Sequence, residues 1–155
     1  MQIAFHGLPS VGVTRTRETQ TDAYGEPVMH ALSSGSGTPC RHCLKTVPSG
    51  KPYLILAWRP FPEPSAYAET GPIFICADEC RAATPGPDLP PMLQNATYTL
   101  RPYDRTPKIR YGLEQIVPPN EIPQVAADML TDPETEFVDV RNPKTGCYQC
   151  RIRRD

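Results

Sequence analysis

The chain has 155 residues and a formal net charge of −1, with 20 prolines, 10 glycines and 6 cysteines. Leu, Ile, Val and Phe supply only 30 residues, but the high net charge that accompanies disorder is missing. Such a composition suits one domain over residues 1–155, with a modest core and much loop; it excludes a coiled coil, a long helical bundle and a collagen-like fibre.

Met1–His6 carries no cationic n-region and no long apolar run follows it, so a secretory signal is not expected. Residues 9–27 are polar and broken, and Ser33–Thr38 resembles a flexible linker, so residues 1–38 read as loosely ordered around a strand near Ile3–Leu8. Tyr53–Trp58 is a strand pattern for a sheet centre. It contains the longest apolar run, Leu54–Trp58, far short of the ~20 residues that cross a bilayer. Pro60, Pro62 and Pro64 force a loop, and Gly71-Pro72 opens a second strand through Cys76. Thr97–Tyr103 and Lys108–Tyr111 suggest a hairpin about the Asp104–Pro107 turn. A helix is expected over 121–130, capped by Asn120, with Ile122, Val125, Ala126, Met129 and Leu130 on one face. Residues 136–141 and 147–152 complete a hairpin about Asn142–Gly146. The fold class is α+β, a mainly antiparallel sheet with one helix and many Pro-rich loops.

The cysteines form three close pairs, Cys40/Cys43, Cys76/Cys80 and Cys147/Cys150. In a reducing compartment such pairs more often bind metal or perform redox chemistry than form disulfides. Two residues between Cys40 and Cys43 allow a tight turn that aims both sulfurs at one ion. A helical turn over Ala77–Glu79 would do the same for Cys76 and Cys80. The expectation is one structural Zn²⁺ held by Cys40, Cys43, Cys76 and Cys80, against the alternatives of buried thiols or a bridge formed in air. Leu44 stands where many zinc knuckles place glycine. His42 is read as exposed, though it could replace a cysteine as ligand. On a regular strand Cys147 and Cys150 point to opposite faces, which sets them outside the site.

No phosphate loop, dinucleotide fingerprint, nucleophile elbow or His-Glu-x-x-His pair is present. Polar residues beside strand ends give a candidate ligand site: Tyr67, Glu69, Arg59, Arg141 and Cys147. Arginines there could hold a small carboxylate or phosphate, or could simply pair with Glu69 and order the loops. Near-zero charge gives no general attraction to nucleic acid, and the Arg151, Arg153, Arg154 tail reads as a strand with one solvated face.

The run Tyr67-Ala68-Glu69-Thr70-Gly71-Pro72-Ile73-Phe74, with Pro39-Cys40-Arg41 and the late Arg141-Asn142 and Gly146-Cys147-Tyr148, resembles a bacterial family catalogued as domain of unknown function 1203. The resemblance covers roughly residues 25–155. It implies a bacterial cytoplasmic domain but no reaction, substrate or cofactor. The sequence thus favours a non-enzymatic module that binds a small molecule or protein and is stabilised by zinc. The alternative is an enzyme of unknown reaction using Cys147 and nearby arginines.

Overall fold

A computed structural model describes all 155 residues. In chain order they form β1 (Ile3–His6), α1 (Ser10–Thr19), β2 (Met29–Leu32), β3 (Pro52–Trp58), β4 (Gly71–Cys76), β5 (Tyr98–Tyr103), β6 (Gln115–Val117), α2 (Ile122–Thr131), β7 (Phe137–Arg141) and β8 (Tyr148–Arg154). The α+β, strand-rich, antiparallel class holds. The strands divide between two sheets rather than one: a five-stranded sheet in the order β1-β8-β7-β5-β6, and a three-stranded sheet β2-β3-β4. No helix is long and apolar enough to cross a membrane.

Each sheet buries its own apolar face. In the larger one Leu100, Val138, Val140, Cys150 and Ile152 pack against Ile122, Ala126, Met129 and Leu130 of α2. The helical periodicity of those four residues therefore marks a real core face. Asn120 does not cap α2. Instead a 3₁₀ turn over Pro119–Glu121 leads into it, and Pro123 occupies the first turn, where no N–H is needed. In the smaller sheet Leu54, Leu56, Ile73 and Ile75 pack with Leu8, Val13 and Val47.

Two further expectations are corrected. Residues 1–38 hold α1 and β2 beside the strand expected near Ile3–Leu8, which is β1, instead of loose chain. Helix α1 is hard to read because its sequence, SVGVTRTRET, is rich in β-branched residues and buries only Val13 and Thr16. Single side-chain contacts hold it: a Cβ at Gly12 would lie 2.7 Å from the Trp58 ring, so glycine lets that ring come close to the helix, and Arg17 and Ser10 reach Cys80 and His42. Lys108–Tyr111 is not a strand. It closes the turn with a single bridge, Tyr103↔Ile109, while Gln115–Val117 pairs with Tyr98–Leu100 as the next strand of the sheet.

The β7–β8 hairpin forms as expected. Asn142 accepts the backbone N–H groups of Lys144 and Thr145 on Oδ1, and Gly146 takes φ +76°. A bulge beside Val140 and Arg141 leaves Cys150 buried in the core and Cys147 half-buried just before β8. All three arginines of the tail are used within the fold. Arg151 pairs with buried Asp139, Arg153 lies 3.9 Å from Glu136, and Arg154 donates to the carbonyls of Leu130, Asp132 and Thr135.

Candidate metal centre and the adjoining cleft

Pro39 and Thr46 bridge to each other, and the chain between them makes a tight knuckle in which Leu44 N–H donates to the Cys40 carbonyl and Cys40 N–H to that of Lys45. This turn needs a left-handed residue, and Leu44 supplies it at φ +60°. A leucine there costs about 1–2 kcal/mol of backbone strain. Leu44 is only 4 % exposed and belongs to the core of the larger sheet, and burial of that size is worth about 2–5 kcal/mol. Leu44→Gly is therefore expected to destabilise the protein by about 1–3 kcal/mol in urea melts. A more stable glycine variant would show that strain outweighs packing.

The knuckle ties the two sheets together. Arg41 N–H donates to the Phe74 carbonyl in β4, Leu8 N–H to that of Arg41, Ala83 N–H to that of His42 and Met92 N–H to that of Leu44. A Cβ at Gly7 would lie 2.5 Å from the His42 carbonyl oxygen, so only glycine lets the chain leaving β1 pass so close.

Cys40 and Cys43 lie on this knuckle, Cys76 ends β4, and Cys80 follows on an irregular bend, not the helical turn expected from spacing. Their four sulfurs lie within 4.8 Å of one another, and Cys40 and Cys80 are 4.0 Å apart. None is in a disulfide. A tetrahedral ion with sulfurs at about 2.3 Å would set them about 3.8 Å apart, so the cluster can take a metal with small adjustment. Sequence spacing selected these four residues, and the fold brings all four together.

Three donors that spacing does not reveal surround the sulfurs. Cys76 N–H donates to Cys40 Sγ at 3.3 Å. Arg17, from α1, donates to Cys80 Sγ at 3.2 Å and to the Cys76 carbonyl. His42 is buried, not exposed, with Nδ1 3.1 Å from Cys80 Sγ and Nε2 2.9 Å from Ser10 Oγ. With a thiolate at Cys80, Nδ1 carries the proton and Nε2 accepts from the Ser10 hydroxyl. The four thiols also act on one another. Hydrogen bonds from Cys40, Cys43 and Cys76, then from His42, hold Cys80 below the ordinary thiol range. The neighbouring sulfurs, Cys40 first, push Cys76 up. Cys40 itself is lowered to about 6, chiefly by its hydrogen bond with Cys43.

Beside this centre a cleft runs between the sheets. One chamber, about 260 Å³, is lined by Arg41, Phe74, Met92, Asn142, Thr145, Cys147 and Gln149 among others. A second, about 170 Å³, shares Pro72, Thr145 and Cys147 with it and adds Trp58, Glu69 and Arg141. The candidate ligand residues are thus only partly gathered. Glu69, Arg141 and Cys147 line the second chamber. Arg59 turns back on its own loop, donating to the carbonyls of Phe61 and Pro62, and Tyr67 packs its ring against Tyr111. Glu69 pairs with Arg141 at 2.6 Å and lies 3.6 Å from Arg101.

Arg41, which the sequence places in the Pro39-Cys40-Arg41 run and not among the candidate ligand residues, also lines the first chamber. It is 3 % exposed, donates through Nε to the Tyr148 carbonyl and through Nη1 to that of Pro39, and stands 5.4 Å from the Phe74 ring centre. Burial draws its pKa down to about 10.

A family model described as "Protein of unknown function (DUF1203)" matches residues 37–154. No curated protein and no solved structure matches the chain.

Proposed function

The chain belongs to this family of unknown function, and from that premise we propose that it is a non-catalytic binding domain, stapled by a structural zinc ion and taking a small molecule in the cleft between its sheets. The observation that carries the reading is the convergence of four thiols within 4.8 Å, with Arg17 donating to Cys80 and His42 Nδ1 3.1 Å from the same sulfur. Four soft ligands in a tetrahedron suit zinc. Because all four come from the protein, no position is left for a reacting water, which makes the role structural. Two N–H donors to one sulfur offset part of the charge that four thiolates concentrate on the ion. Six cysteines free of disulfides support a reducing compartment, the cytoplasm. The internal use of the tail arginines supports a small molecule over nucleic acid as the partner.

An enzymatic reading draws on Cys147, which lines both chambers. A cysteine nucleophile needs a base beside it, and His42 and His30 are bonded to Cys80 with Ser10, and to Gln20.

Elemental analysis of protein purified without chelator tests the metal. About one zinc per chain is expected, with loss of most of it in Cys80→Ser. Iron instead of zinc, or an equally loaded variant, would contradict the assignment. Thiol labelling at pH 7 tests the rest: Cys147 should react no faster than an ordinary exposed thiol, and fast labelling would favour the enzyme.

A further inference from the structure

We propose that the chamber lined by Arg41 binds the anionic head group, a carboxylate or phosphate, of a small molecule, with Arg41 as the anchoring cation. The inference rests on the cleft being a binding site and names the class of its ligand.

The first observation is a buried guanidinium with no carboxylate partner and one arm without a bond inside the protein. None of the seven ion pairs in the protein involves Arg41. Its Nε and Nη1 donate to two carbonyls and its face lies near Phe74, but Nη2 makes no hydrogen bond within the protein. It also donates to none of the four sulfurs, whose guanidinium partner is Arg17. Nη2 is the arm left free to bond outside the protein, and it belongs to a side chain that lines a chamber of about 260 Å³.

The second observation is the surrounding chemistry. Asn142 spends its Oδ1 on the turn at Lys144 and Thr145, which leaves its amide N–H groups to donate to a ligand. Gln149 and Thr145 add further polar groups, and Phe74 and Met92 offer an apolar wall for the body of the molecule. Arg41 is the one Arg, Lys, Asp or Glu side chain lining this chamber, while in the adjoining chamber Arg141 is paired with Glu69. Arg41 lies between Cys40 and Cys43, so an ion that fixes the knuckle also fixes the guanidinium before the ligand arrives.

The test is a titration of the protein as purified, followed by amide NMR shifts, with benzoate, phenyl phosphate and the neutral benzamide. Benzoate or phenyl phosphate should saturate shifts at Arg41, Thr145 and Gln149, the tighter of the two identifying the head group. Benzamide should bind at least tenfold more weakly. Arg41→Gln should lose roughly ten- to a hundredfold in anion affinity, the size of one charge-assisted hydrogen bond, while Arg41→Lys should keep part of it. Should Arg41→Gln fail to fold, Asn95→Trp decides, since Asn95 is an exposed residue of the chamber; it should weaken the anions while leaving Arg41 in place. Benzamide binding as tightly as the anions overturns the inference and leaves the cleft as a binding site. Failure of all three probes overturns both. Equal anion affinity in Arg41→Gln, or in a folded Asn95→Trp where Arg41→Gln does not fold, also overturns the inference.

Discussion

Stripping the metal with a strong chelator is expected to unfold the protein or lower its melting temperature by more than about 20 °C. Structural zinc contributes on the order of 10 kcal/mol in small domains, comparable to the whole stability of an ordinary one. A kilocalorie shifts the midpoint of a chain of this size by about 2–4 °C. The effect should reach well beyond the sulfurs, because the knuckle bonds to β4, to the chain after β1, and to residues 83 and 92. Helix α1 is pinned to the same centre through Arg17 and through Ser10 on His42. Its Gly12 lies against Trp58, the sole tryptophan, so loss of the metal should also change the tryptophan emission. A chelated protein with unchanged melting and emission would mean that the four thiols contribute nothing to the fold.

The second large effect is expected at Asp139. Its carboxylate is fully buried and receives Arg151 through two bonds, at 2.7 and 2.9 Å, with Arg141 3.8 Å away. Arg151 also stacks over Phe137 at 3.9 Å. Asp139→Asn keeps the shape but strands a buried guanidinium, so the expected loss is about 3–5 kcal/mol, or roughly 6–20 °C in melting temperature. Adding Arg151→Met should restore most of that loss, since an apolar replacement of the whole pair removes the desolvation penalty as well. If the double variant is as unstable as the single one, the pair is not acting as a buried charge couple and its place in the core must be explained by packing.

The parts of the fold legible in the sequence are those with a strong local pattern. The apolar run of β3, the Gly71-Pro72 entry to β4, the α2 face and the Asn142–Gly146 turn each carry their own signal, and each is found within two residues of its expected place. What local pattern cannot carry is pairing between distant segments. That is why the strands split into two sheets unannounced, and why Gln115–Val117, only three residues with exposed Ile116, took the place assigned to Lys108–Tyr111. Helix α1 escaped for a related reason: its stability lies in Trp58 and the cysteine centre, both remote in sequence. At the site, cysteine spacing named all four thiols, because each pair sits close in sequence on a short stretch that can aim both sulfurs at one point. Arg17, His42 and Arg41 have no spacing rule, since each reaches its partner through the fold. Leu44 was read as evidence against a knuckle, whereas its burial compensates for the backbone it must adopt.

Zinc K-edge X-ray absorption on protein purified without chelator tests the central claim most directly. The account predicts a first shell of four sulfurs at about 2.3 Å and no lighter ligand. A shell containing nitrogen or oxygen, or no zinc edge at all, would contradict it.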